Sequence, residues 1–420
     1  MKVLLLITSE HTGGAAIASN RLMKALNHSG INAKMLVMIK NTDEKNVISI
    51  LTTFPRKLFA RFYFLWERLI IFCKNRFSRE NLFTVSLANT GFDVSKHPAL
   101  RDADIINMHW INQGFLSLNH LQKIIRTGKP IVWTIHDMWP VTGICHHSRE
   151  CDHFISECGH CFFLNSNKSN DLSHQLFLTK RKKIFSNNNI TFVGCSQWLA
   201  NKVKISGLSK NHPVVSIPNP IDVHFFKASD KLLSRRKMGL PTDKKLILFG
   251  AANVTDKRKG IHYLADALTV LTKKDGNNEL CLIVFGQVKT DFTALIKIPV
   301  ITMGYLDCPE KIASIYNAVD VFVTPSLEEN LPNTIMEAMA CGTPCVGFDI
   351  GGIPEMIDHK QNGYVAEYKN AEDLANGIQW VLYEADYTRL SEDARKKVES
   401  NYSEDVVAGQ YLELFNHLLT

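Results

Sequence analysis

The chain has 420 residues, of which 45% are hydrophobic and 21% charged, so it is long enough for two domains and has the composition of a globular protein. No apolar run reaches the ~20 residues of a membrane-spanning helix, and the apolar start at residues 1–8 lacks the length and cleavage site of a signal peptide. We therefore expect a cytoplasmic protein whose ten cysteines are mostly reduced thiols or metal ligands.

Short apolar and β-branched runs alternate with longer amphipathic stretches along the chain. The first series of predicted strands is 3–8, 34–38, 104–109, 131–136, 191–195 and 214–218. The second series is 246–250, 280–286, 300–304, 319–325 and 344–349. Strands separated by helical segments predict parallel sheets. The fold class is therefore α/β, with two doubly wound, Rossmann-like domains and a cleft between them.

The division between the domains is predicted at 217–222, where Pro218 and Pro220 flank Asn219 and make a stiff, non-helical connector. Residues 1–218 then form the first domain and 219–401 the second. The last segment, 402–420, is predicted to be a helix that packs back on the first domain.

Two carboxylates lie near the end of the predicted strand 319–325. Glu329 falls in the following loop, and Glu337 falls about one turn inside a helix that starts near Pro332 and stops at Gly342. Open α/β sheets bind ligands at this edge, and a helix start suits a diphosphate. Carboxylates accept hydrogen bonds from paired sugar hydroxyls. Taken alone, the pair favours the structural interpretation, in which Glu329 is a loop charge and Glu337 a solvated helix residue.

The sequence around this pair resembles the retaining GT-B glycosyltransferases of family 4. Residues 329–337, Glu-Asn-Leu-Pro-Asn-Thr-Ile-Met-Glu, match the E-x7-E signature of that family, and Pro325-Ser326 before it and 338–344 after it also match. The resemblance implies that Glu329 reaches the hydroxyls of the donor sugar and that Glu337 binds the ribose. Asn330 and Leu331 stand where the family often has glycines, and they belong to the same implied donor site.

A cationic turn follows the first strand of the second domain. Lys257, Arg258 and Lys259 precede Gly260, and cations beside a strand end suit a diphosphate. Lys259-Gly260 resembles the Lys-Gly element of the family, whose Lys neutralises the leaving diphosphate. Ala251 stands where the family commonly has Arg, so Arg258 or Lys259 carries that charge, whereas Lys257 is assigned to the surface.

In the first domain, Gly13 and Gly14 follow the first strand and precede a predicted helix, 15–27. They resemble the glycine loop of the family, which approaches the donor phosphate and the acceptor. His136 ends another strand, where the family has a His that contacts the transferred sugar; the alternative is a structural His held by Asp137. His109 ends a neighbouring strand and is a further candidate on the acceptor side.

The resemblance implies an enzyme that transfers a sugar from a nucleoside diphosphate (NDP) sugar with retention, by front-face attack of a glycan or lipid-linked acceptor. Residues 1–218 would be the acceptor-side domain and 219–401 the donor domain. No metal-binding Asp-x-Asp for the diphosphate is evident, so we expect no catalytic cofactor, with Lys259 and Arg258 in place of Mg²⁺. His136, Glu329 and Lys259 are the expected catalytic residues.

Four of the ten cysteines crowd together in the segment 145–161, with the spacing C-x5-C-x6-C-x2-C. They are Cys145, Cys151, Cys158 and Cys161. Thiolates suit Zn²⁺ or an iron–sulfur cluster, and a structural zinc site is the prediction. Free thiols or disulfides formed on oxidation are the alternatives.

Residues 54–79 hold seven Lys or Arg against one acid, Glu67, together with many aromatic residues. A helical wheel places Lys57, Arg61 and Arg68 on one face and an apolar set opposite. This pattern is typical of a helix lying in an anionic membrane interface, and equally of a helix packing its apolar face on the first domain. Because the basic patch lies mainly on this one helix and no recognised nucleic-acid-binding fold appears, a nucleic-acid partner is not expected.

Three other functions compete with a bacterial polysaccharide glycosyltransferase. A GT-B sugar-nucleotide epimerase or a phosphorylase would keep the fold, but the E-x7-E turn with Lys259 argues against the epimerase and no cofactor Lys motif stands out for the phosphorylase. A non-catalytic sugar-nucleotide-binding protein would bind without turnover. The sequence names neither the base, the sugar nor the acceptor.

Overall fold

The computed structural model describes residues 1–275 and 279–420, which form two compact units. Unit 1 comprises Met1–Asn219 and Val407–Thr420, and unit 2 comprises Pro220–Val406. Each unit contains one parallel sheet with helices against it, which confirms the α/β class with two doubly wound domains.

The sheet of unit 1 has seven strands in the order β3-β2-β1-β4-β5-β6-β7. They are β1 (Lys2–Ser9), β2 (Asn32–Ile39), β3 (Val47–Ser49), β4 (Ile105–Met108), β5 (Ile131–Ile135), β6 (Ile190–Gly194) and β7 (Val214–Ser216). Alternate residues of β1 enter different cores: Leu4 and Leu6 pack on one face of the sheet, Val3 and Leu5 on the other. Both faces are therefore covered, as a parallel sheet requires.

Six helices of unit 1 precede unit 2 in the chain. They are α1 (Gly14–His28), α2 (Phe54–Lys74), α3 (Pro98–Asp102), α4 (Leu118–Ile125), α5 (Leu172–Lys183) and α6 (Gln197–Ile205). Residues 142–171, between β5 and α5, contain short 3-10 turns.

The sheet of unit 2 has six strands in the order β10-β9-β8-β11-β12-β13. They are β8 (Lys245–Asn253), β9 (Leu280–Gln287), β10 (Val300–Thr302), β11 (Val321–Thr324), β12 (Cys345–Phe348) and β13 (Gly363–Ala366). The helices are α7 (Lys231–Met238), α8 (Ile261–Asp275), α9 (Pro309–Ala318), α10 (Asn333–Ala340), α11 (Ile353–Met356), α12 (Ala371–Gln379) and α13 (Tyr387–Asn401).

The last helix, α14 (Glu404–Leu419), returns to unit 1. Its Tyr411 and Phe415 are buried in the same core as β1 and α1. The Tyr411 hydroxyl lies 2.9 Å from the Thr134 hydroxyl of β5. This contact fastens the chain end to the sheet of unit 1.

The sequence analysis did not predict two of the strands, β3 and β13. Each has only three or four residues and lies at a sheet edge. Such runs are too short for a periodic pattern, and pairing with a neighbouring strand decides their conformation.

Helix α2 packs on unit 1 through a stripe that includes an ion pair, Glu67 and Arg68. Glu67 accepts hydrogen bonds from the backbone N–H groups of Leu87 (2.6 Å) and Ala88 (2.9 Å), and from Arg68 Nη2 (2.6 Å). Both side chains are buried. Arg68, which shares a face of the helical wheel with the exposed Lys57 and Arg61, is itself buried, because its guanidinium bonds Glu67 and nearby carbonyls inside the protein.

In unit 2, the buried carboxylate of Asp320 joins three elements at the start of β11. It accepts hydrogen bonds from Arg235 Nη2 and the Leu246 N–H, both at 2.7 Å, and from Lys231 Nζ at 2.9 Å. A carboxylate removed from water persists only when its oxygens are satisfied in this way. Asp320 therefore holds α7 against the edge from which β8 and β11 begin.

Replacing Asp320 by Asn should lower the free energy of unfolding by about 3–5 kcal/mol, because the variant leaves the Arg235 charge buried without its counter-ion. Urea unfolding followed by circular dichroism measures this change. The matched control is Asp266→Asn, on the exposed face of α8. Equal stability of the two variants would contradict the role given to Asp320.

Candidate functional site

Three loops converge at the carboxyl edge of the unit 2 sheet. They follow β8, β11 and β12, which are adjacent strands, and the strand order reverses direction at β8. Open α/β sheets bind ligands at such a reversal. The cationic turn, Glu329 and the Gly351-Gly352 turn all lie on these loops.

Two glycines allow the loops to approach one another closely. A Cβ at Gly260 would lie 1.9 Å from the Pro325 carbonyl oxygen, and a Cβ at Gly351 would lie 1.7 Å from the Glu329 carbonyl oxygen. Both glycines also have positive φ, 70° and 63°. A side chain at either position would push the neighbouring loop away from the loop that carries Glu329.

This approach brings Lys259 beside Glu329. Lys259 Nζ lies 2.5 Å from Glu329 Oε2, and both side chains are partly exposed, at 28% and 18%. Arg258 is held through its own turn: Nη2 lies 2.7 Å from Asp256 Oδ2, and its carbonyl accepts the Leu327 N–H. The two predicted cations therefore lie at the loop that carries Glu329, and Lys257 is exposed.

Glu337 lies inside α10, directly after that loop. It is 7% exposed, and one carboxylate oxygen accepts a hydrogen bond of 3.1 Å from the Tyr316 hydroxyl. Burial first, and then the neighbouring Glu337, raise the pKa of Tyr316 well above its ordinary value, so the tyrosine stays a donor. Tyr316 was not predicted, since its partner lies 21 residues away in sequence.

The residues between the two glutamates are well packed. Leu331 is buried, and the Asn330 carbonyl accepts the Gly352 N–H at 2.8 Å. The buried Leu331 side chain therefore anchors this loop in the protein, and the Asn330 carbonyl links it to the loop after β12. Their predicted contacts with a donor remain predictions.

In unit 1, Gly13 caps the start of α1 and Gly14 is its first residue. The space where a Cβ of Gly13 would project holds no atom within 4 Å, so this backbone is open to approach. The buried carboxylate of Glu10 accepts hydrogen bonds from the N–H groups of Asn41 (2.9 Å) and Thr42 (3.1 Å). Glu10 was not predicted, and it ties the loop after β1 to the loop after β2.

His136 lies after β5 and faces His109, which follows β4. His109 Nδ1 and His136 Nε2 are 3.0 Å apart, and Cys195 Sγ lies 3.5 Å from His136 Nδ1. Burial lowers the pKa of His136 to about 4 and that of His109 well below its ordinary value. The pair is therefore neutral near pH 7, and a neutral imidazole can donate or accept a hydrogen bond but carries no charge.

Asp137 binds groups around this histidine pair. Its carboxylate accepts hydrogen bonds from Trp110 Nε1 (2.8 Å) and the Trp139 N–H (2.9 Å), and lies 2.7 Å from His146 Nδ1. Burial opposes its ionisation, but the contacts with His146, His147 and the Trp139 N–H together outweigh it and lower the pKa to about 2. The loop after β5 is thus fixed by an ionised carboxylate.

The four clustered cysteines are free thiols. Electrostatic interactions link Cys145 with the other three, the Gly143 N–H donates to Cys158 Sγ at 3.2 Å, and the N–H groups of Phe163 and Leu164 donate to Cys161. Within the described residues, no group of three or more His, Cys, Asp or Glu side chains is arranged to hold a metal ion. The zinc site stays a prediction.

The predicted site residues thus form one group in each unit. Arg258, Lys259, Glu329, Asn330, Leu331 and Glu337 lie on adjacent loops of unit 2 or at the start of α10. Gly13, Gly14 and His136 lie at the ends of strands of unit 1, together with His109.

The histidine pair should make the stability of the protein depend on pH. Because the pKa of His136 is lower in the folded protein than in the unfolded chain, the unfolded chain binds more protons between about pH 6.5 and pH 4. Stability is therefore full above pH 6.5 and falls across this window.

Replacing His136 by Gln should reduce this loss by about 2–3 kcal/mol, as measured by urea unfolding at pH 7 and pH 4.5. His224→Gln, at an exposed position, is the control and should keep the wild-type dependence. The same pH dependence in both variants would contradict a neutral, buried His136.

The part of the chain that carries the unit 2 site is similar to known proteins. Residues 243–384 match the family model described as glycosyl transferases group 1. The amylovoran biosynthesis glycosyltransferase AmsK of Erwinia amylovora is 30% identical over 188 residues, which are 41% of this chain and 45% of that protein. The chain spans about half the length of the curated relatives it matches.

A second relative is the N,N'-diacetylbacillosaminyl-diphospho-undecaprenol alpha-1,3-N-acetylgalactosaminyltransferase of Campylobacter jejuni. It is 33% identical over 116 residues, which are 27% of this chain and 31% of that protein.

Among solved structures, Anabaena Alr3699/HepE in complex with UDP and glucose superposes with a TM-score of 0.64 and 16% identity, covering 99% of this chain and 100% of that one. At this identity the likeness shows the fold alone, which is GT-B. Residues 243–384 are thus similar to the glycosyl transferases of group 1, and the chain has a GT-B fold.

Proposed function

We propose that this protein is a retaining glycosyltransferase of family 4, which moves a sugar from an NDP-sugar to a glycan or lipid-linked acceptor in bacterial polysaccharide biosynthesis. The observation that carries the proposal is the 2.5 Å pair of Lys259 and Glu329, together with the buried Glu337 inside α10, the helix that follows the Glu329 loop. The printed names of relatives that build amylovoran or extend a diphospho-undecaprenol, and a neighbour bound to UDP and glucose, support it.

In this proposal, each of the two glutamates binds a different part of the donor. Glu337 accepts hydrogen bonds from the ribose hydroxyls, and Tyr316 holds its carboxylate in position. Glu329 accepts hydrogen bonds from hydroxyls of the transferred sugar. The diphosphate lies between them, near the first turn of α10, whose N–H groups and positive dipole end favour an anion.

Lys259 changes partner during the reaction. Without donor, its ammonium group is neutralised by Glu329. When the diphosphate departs, negative charge develops on its oxygens, and Lys259, supported by Arg258, stabilises that charge in the transition state. This role replaces a divalent cation, so we propose that catalysis needs no metal cofactor.

His136 contributes as a neutral hydrogen-bonding group. With its pKa near 4, it carries no positive charge at neutral pH that would oppose an oxocarbenium-like sugar. We assign it to the hydroxyls of the transferred sugar. The acceptor attacks from the face that the diphosphate leaves, which retains the anomeric configuration.

Removing either member of the pair should abolish most turnover. Glu329→Gln and Lys259→Met should each lower kcat at least ~100-fold, because each removes stabilisation realised in the transition state. Glu337→Gln should mainly raise KM for the donor, about tenfold, because the ribose does not react. Nucleotide release from a panel of NDP-sugars with a membrane extract as acceptor measures all three.

Lys257→Met is the matched control, since this exposed lysine lies in the same turn. It should keep wild-type turnover. Near wild-type rates in both Glu329→Gln and Lys259→Met would contradict the assignment of this pair. Donor binding without nucleotide release would favour a non-catalytic binding protein. An inverted anomeric configuration in the product, read by NMR, would contradict the retaining mechanism alone.

We also propose a structural zinc ion bound by Cys145, Cys151, Cys158 and Cys161. Three observations support it: the electrostatic proximity of the thiols, the backbone N–H groups directed at Cys158 and Cys161, and the short 3-10 turns of this segment. Backbone N–H donors stabilise thiolates, and a metal would join turns that lack a regular element. The side chains must draw closer for all four to ligate one ion.

Protein purified without chelator should contain one zinc ion per chain, and Cys158→Ser should lose it and unfold at a lower temperature. Metal analysis by mass spectrometry with thermal unfolding tests this. The control is Cys73→Ser, at an exposed position of α2. Four alkylatable thiols and no bound metal in the native protein would reject the site.

A further inference from the structure

The solvent-facing side of α2 carries an unusual concentration of large apolar side chains. Their exposed fractions range from 43% for Trp66 to 79% for Phe54. The set is Phe54, Leu58, Phe59, Phe62, Leu65, Trp66 and Leu69. Because they recur every three or four residues, they lie on one side of the helix.

The usual orientation of an amphipathic helix is thus reversed. The side that packs on unit 1 includes the ion pair of Glu67 and Arg68, whereas the aromatic side faces outward. The alternative in which the apolar face packs on its own domain is therefore wrong. Contiguous exposed apolar surface of this kind marks an interaction site.

Cations border this face on both sides. At about 100° per residue, Lys57 and Arg61 lie along one edge of the apolar arc and Arg56 and Lys74 along the other. All four are exposed, and the one acid of the helix, Glu67, is buried. An apolar face with cationic edges fits the interface of an anionic bilayer, where rings enter the acyl boundary and cations meet phosphates.

Other occupants fit this surface less well. A symmetric contact with a second copy of the chain would bring these cationic edges together without acids to offset them. None of the helices in the described part of the chain is long and apolar enough to cross a bilayer. The geometry therefore favours a helix that lies in the plane of the interface.

A groove of about 840 Å³ opens beside the same helix. It lies between α2 and the loops at the carboxyl ends of β2 and β3. Lys40, Lys57 and Arg61 line it together with the apolar Leu51, Ala60 and Phe64, and Asp43 adds one acid. Lys40 Nζ donates to the carbonyls of Glu44 and Val47, both at 2.8 Å, which holds this cation in the groove.

Lys57 and Arg61 are thus shared between the groove and one edge of the apolar face. A molecule that fills both must carry an anionic head and an adjoining apolar tail. We propose that α2 lies in the interface of an anionic membrane and that the groove takes the phosphate-bearing head group of a lipid in that membrane. This surface belongs to unit 1 and does not depend on the proposed reaction.

Flotation of the full-length protein with vesicles tests the surface. The protein should float with equimolar phosphatidylcholine and phosphatidylglycerol, and at least about tenfold less with phosphatidylcholine alone or in high salt. The double variant Leu65→Gln/Trp66→Gln should lose flotation. Its control, Leu178→Gln/Ile205→Gln, removes two exposed apolar residues elsewhere on unit 1 and should float like the wild type.

The charge variant Lys57→Gln/Arg61→Gln should lose the preference for phosphatidylglycerol. Lys204→Gln/Lys210→Gln removes two exposed cations of the same unit and should retain it. Circular dichroism and thermal unfolding check that each variant is folded, which is expected because every changed side chain is exposed. Flotation of the Leu65/Trp66 variant at the wild-type level would overturn the proposal.

A soluble short-chain phosphatidic acid tests the groove. It should raise the unfolding temperature of the wild type and not that of the Lys57/Arg61 variant, whereas inorganic phosphate should have no effect. An equal shift with inorganic phosphate would assign the groove to free phosphate and overturn the lipid. A dimer in sedimentation that the Leu65/Trp66 change dissociates would assign the face to a second copy instead.

These measurements need no donor and no turnover. Failure of the wild-type protein to float, with intact transfer to a soluble acceptor, would overturn the membrane surface alone. Loss of transfer in Lys259→Met with intact flotation would support the proposed reaction and would not affect the membrane proposal.

Discussion

The contact between Lys259 and Glu329 depends on backbone approaches that only glycine permits. The cationic turn reaches the loop after β11 because Gly260 leaves room for the Pro325 carbonyl, and the loop after β12 reaches it because Gly351 leaves room for the Glu329 carbonyl. A methyl group at either place would overlap an oxygen atom. The arrangement of charges at this edge is thus set first by steric access of the backbone, and only then by electrostatics.

Buried carboxylates hold the loops and elements around both candidate sites. Asp320 joins α7 to the sheet of unit 2, Glu10 joins the loops after β1 and β2, and Asp137 fixes the loop after β5. Each accepts at least one hydrogen bond from a backbone N–H group. A buried, ionised carboxylate is costly unless fully satisfied, so each one selects a single loop conformation among many. Pre-organised loops allow the proposed donor site to keep its geometry before a ligand arrives.

Helix α2 is likewise positioned by a buried carboxylate whose oxygens are satisfied. Glu67 is satisfied by two backbone N–H groups and by Arg68, so the helix is attached to unit 1 by polar contacts. Four of its aromatic residues lie on the outward side: Phe54, Phe59, Phe62 and Trp66. A protein that needed only stability would bury them, since each exposed ring forgoes about 1.5–3 kcal/mol of hydrophobic stabilisation. The reversed orientation therefore leaves an apolar surface available for contact with a partner.

Much of the fold could be read from the sequence because strand runs and the intervening helices are local patterns. The alternation of elements specified two parallel sheets, and the spacing of Glu329 and Glu337 placed one on a loop and the other inside α10. The short edge strands β3 and β13 could not be read, because pairing with a neighbour defines them. The burial of Arg68 could not be read either, since a helical wheel gives angles but not which side meets the protein.

By itself, the sequence determined the fold class, the strand ends that carry the candidate residues and the chemical character of each one. Tertiary structure alone decided which of them meet. Lys259 and Glu329 are 70 residues apart, Tyr316 and Glu337 21, and His109 and His136 27. Such contacts depend on sheet order and on loop backbones that fit together. Local sequence patterns record secondary structure, whereas these pairings arise only when distant segments pack into one body.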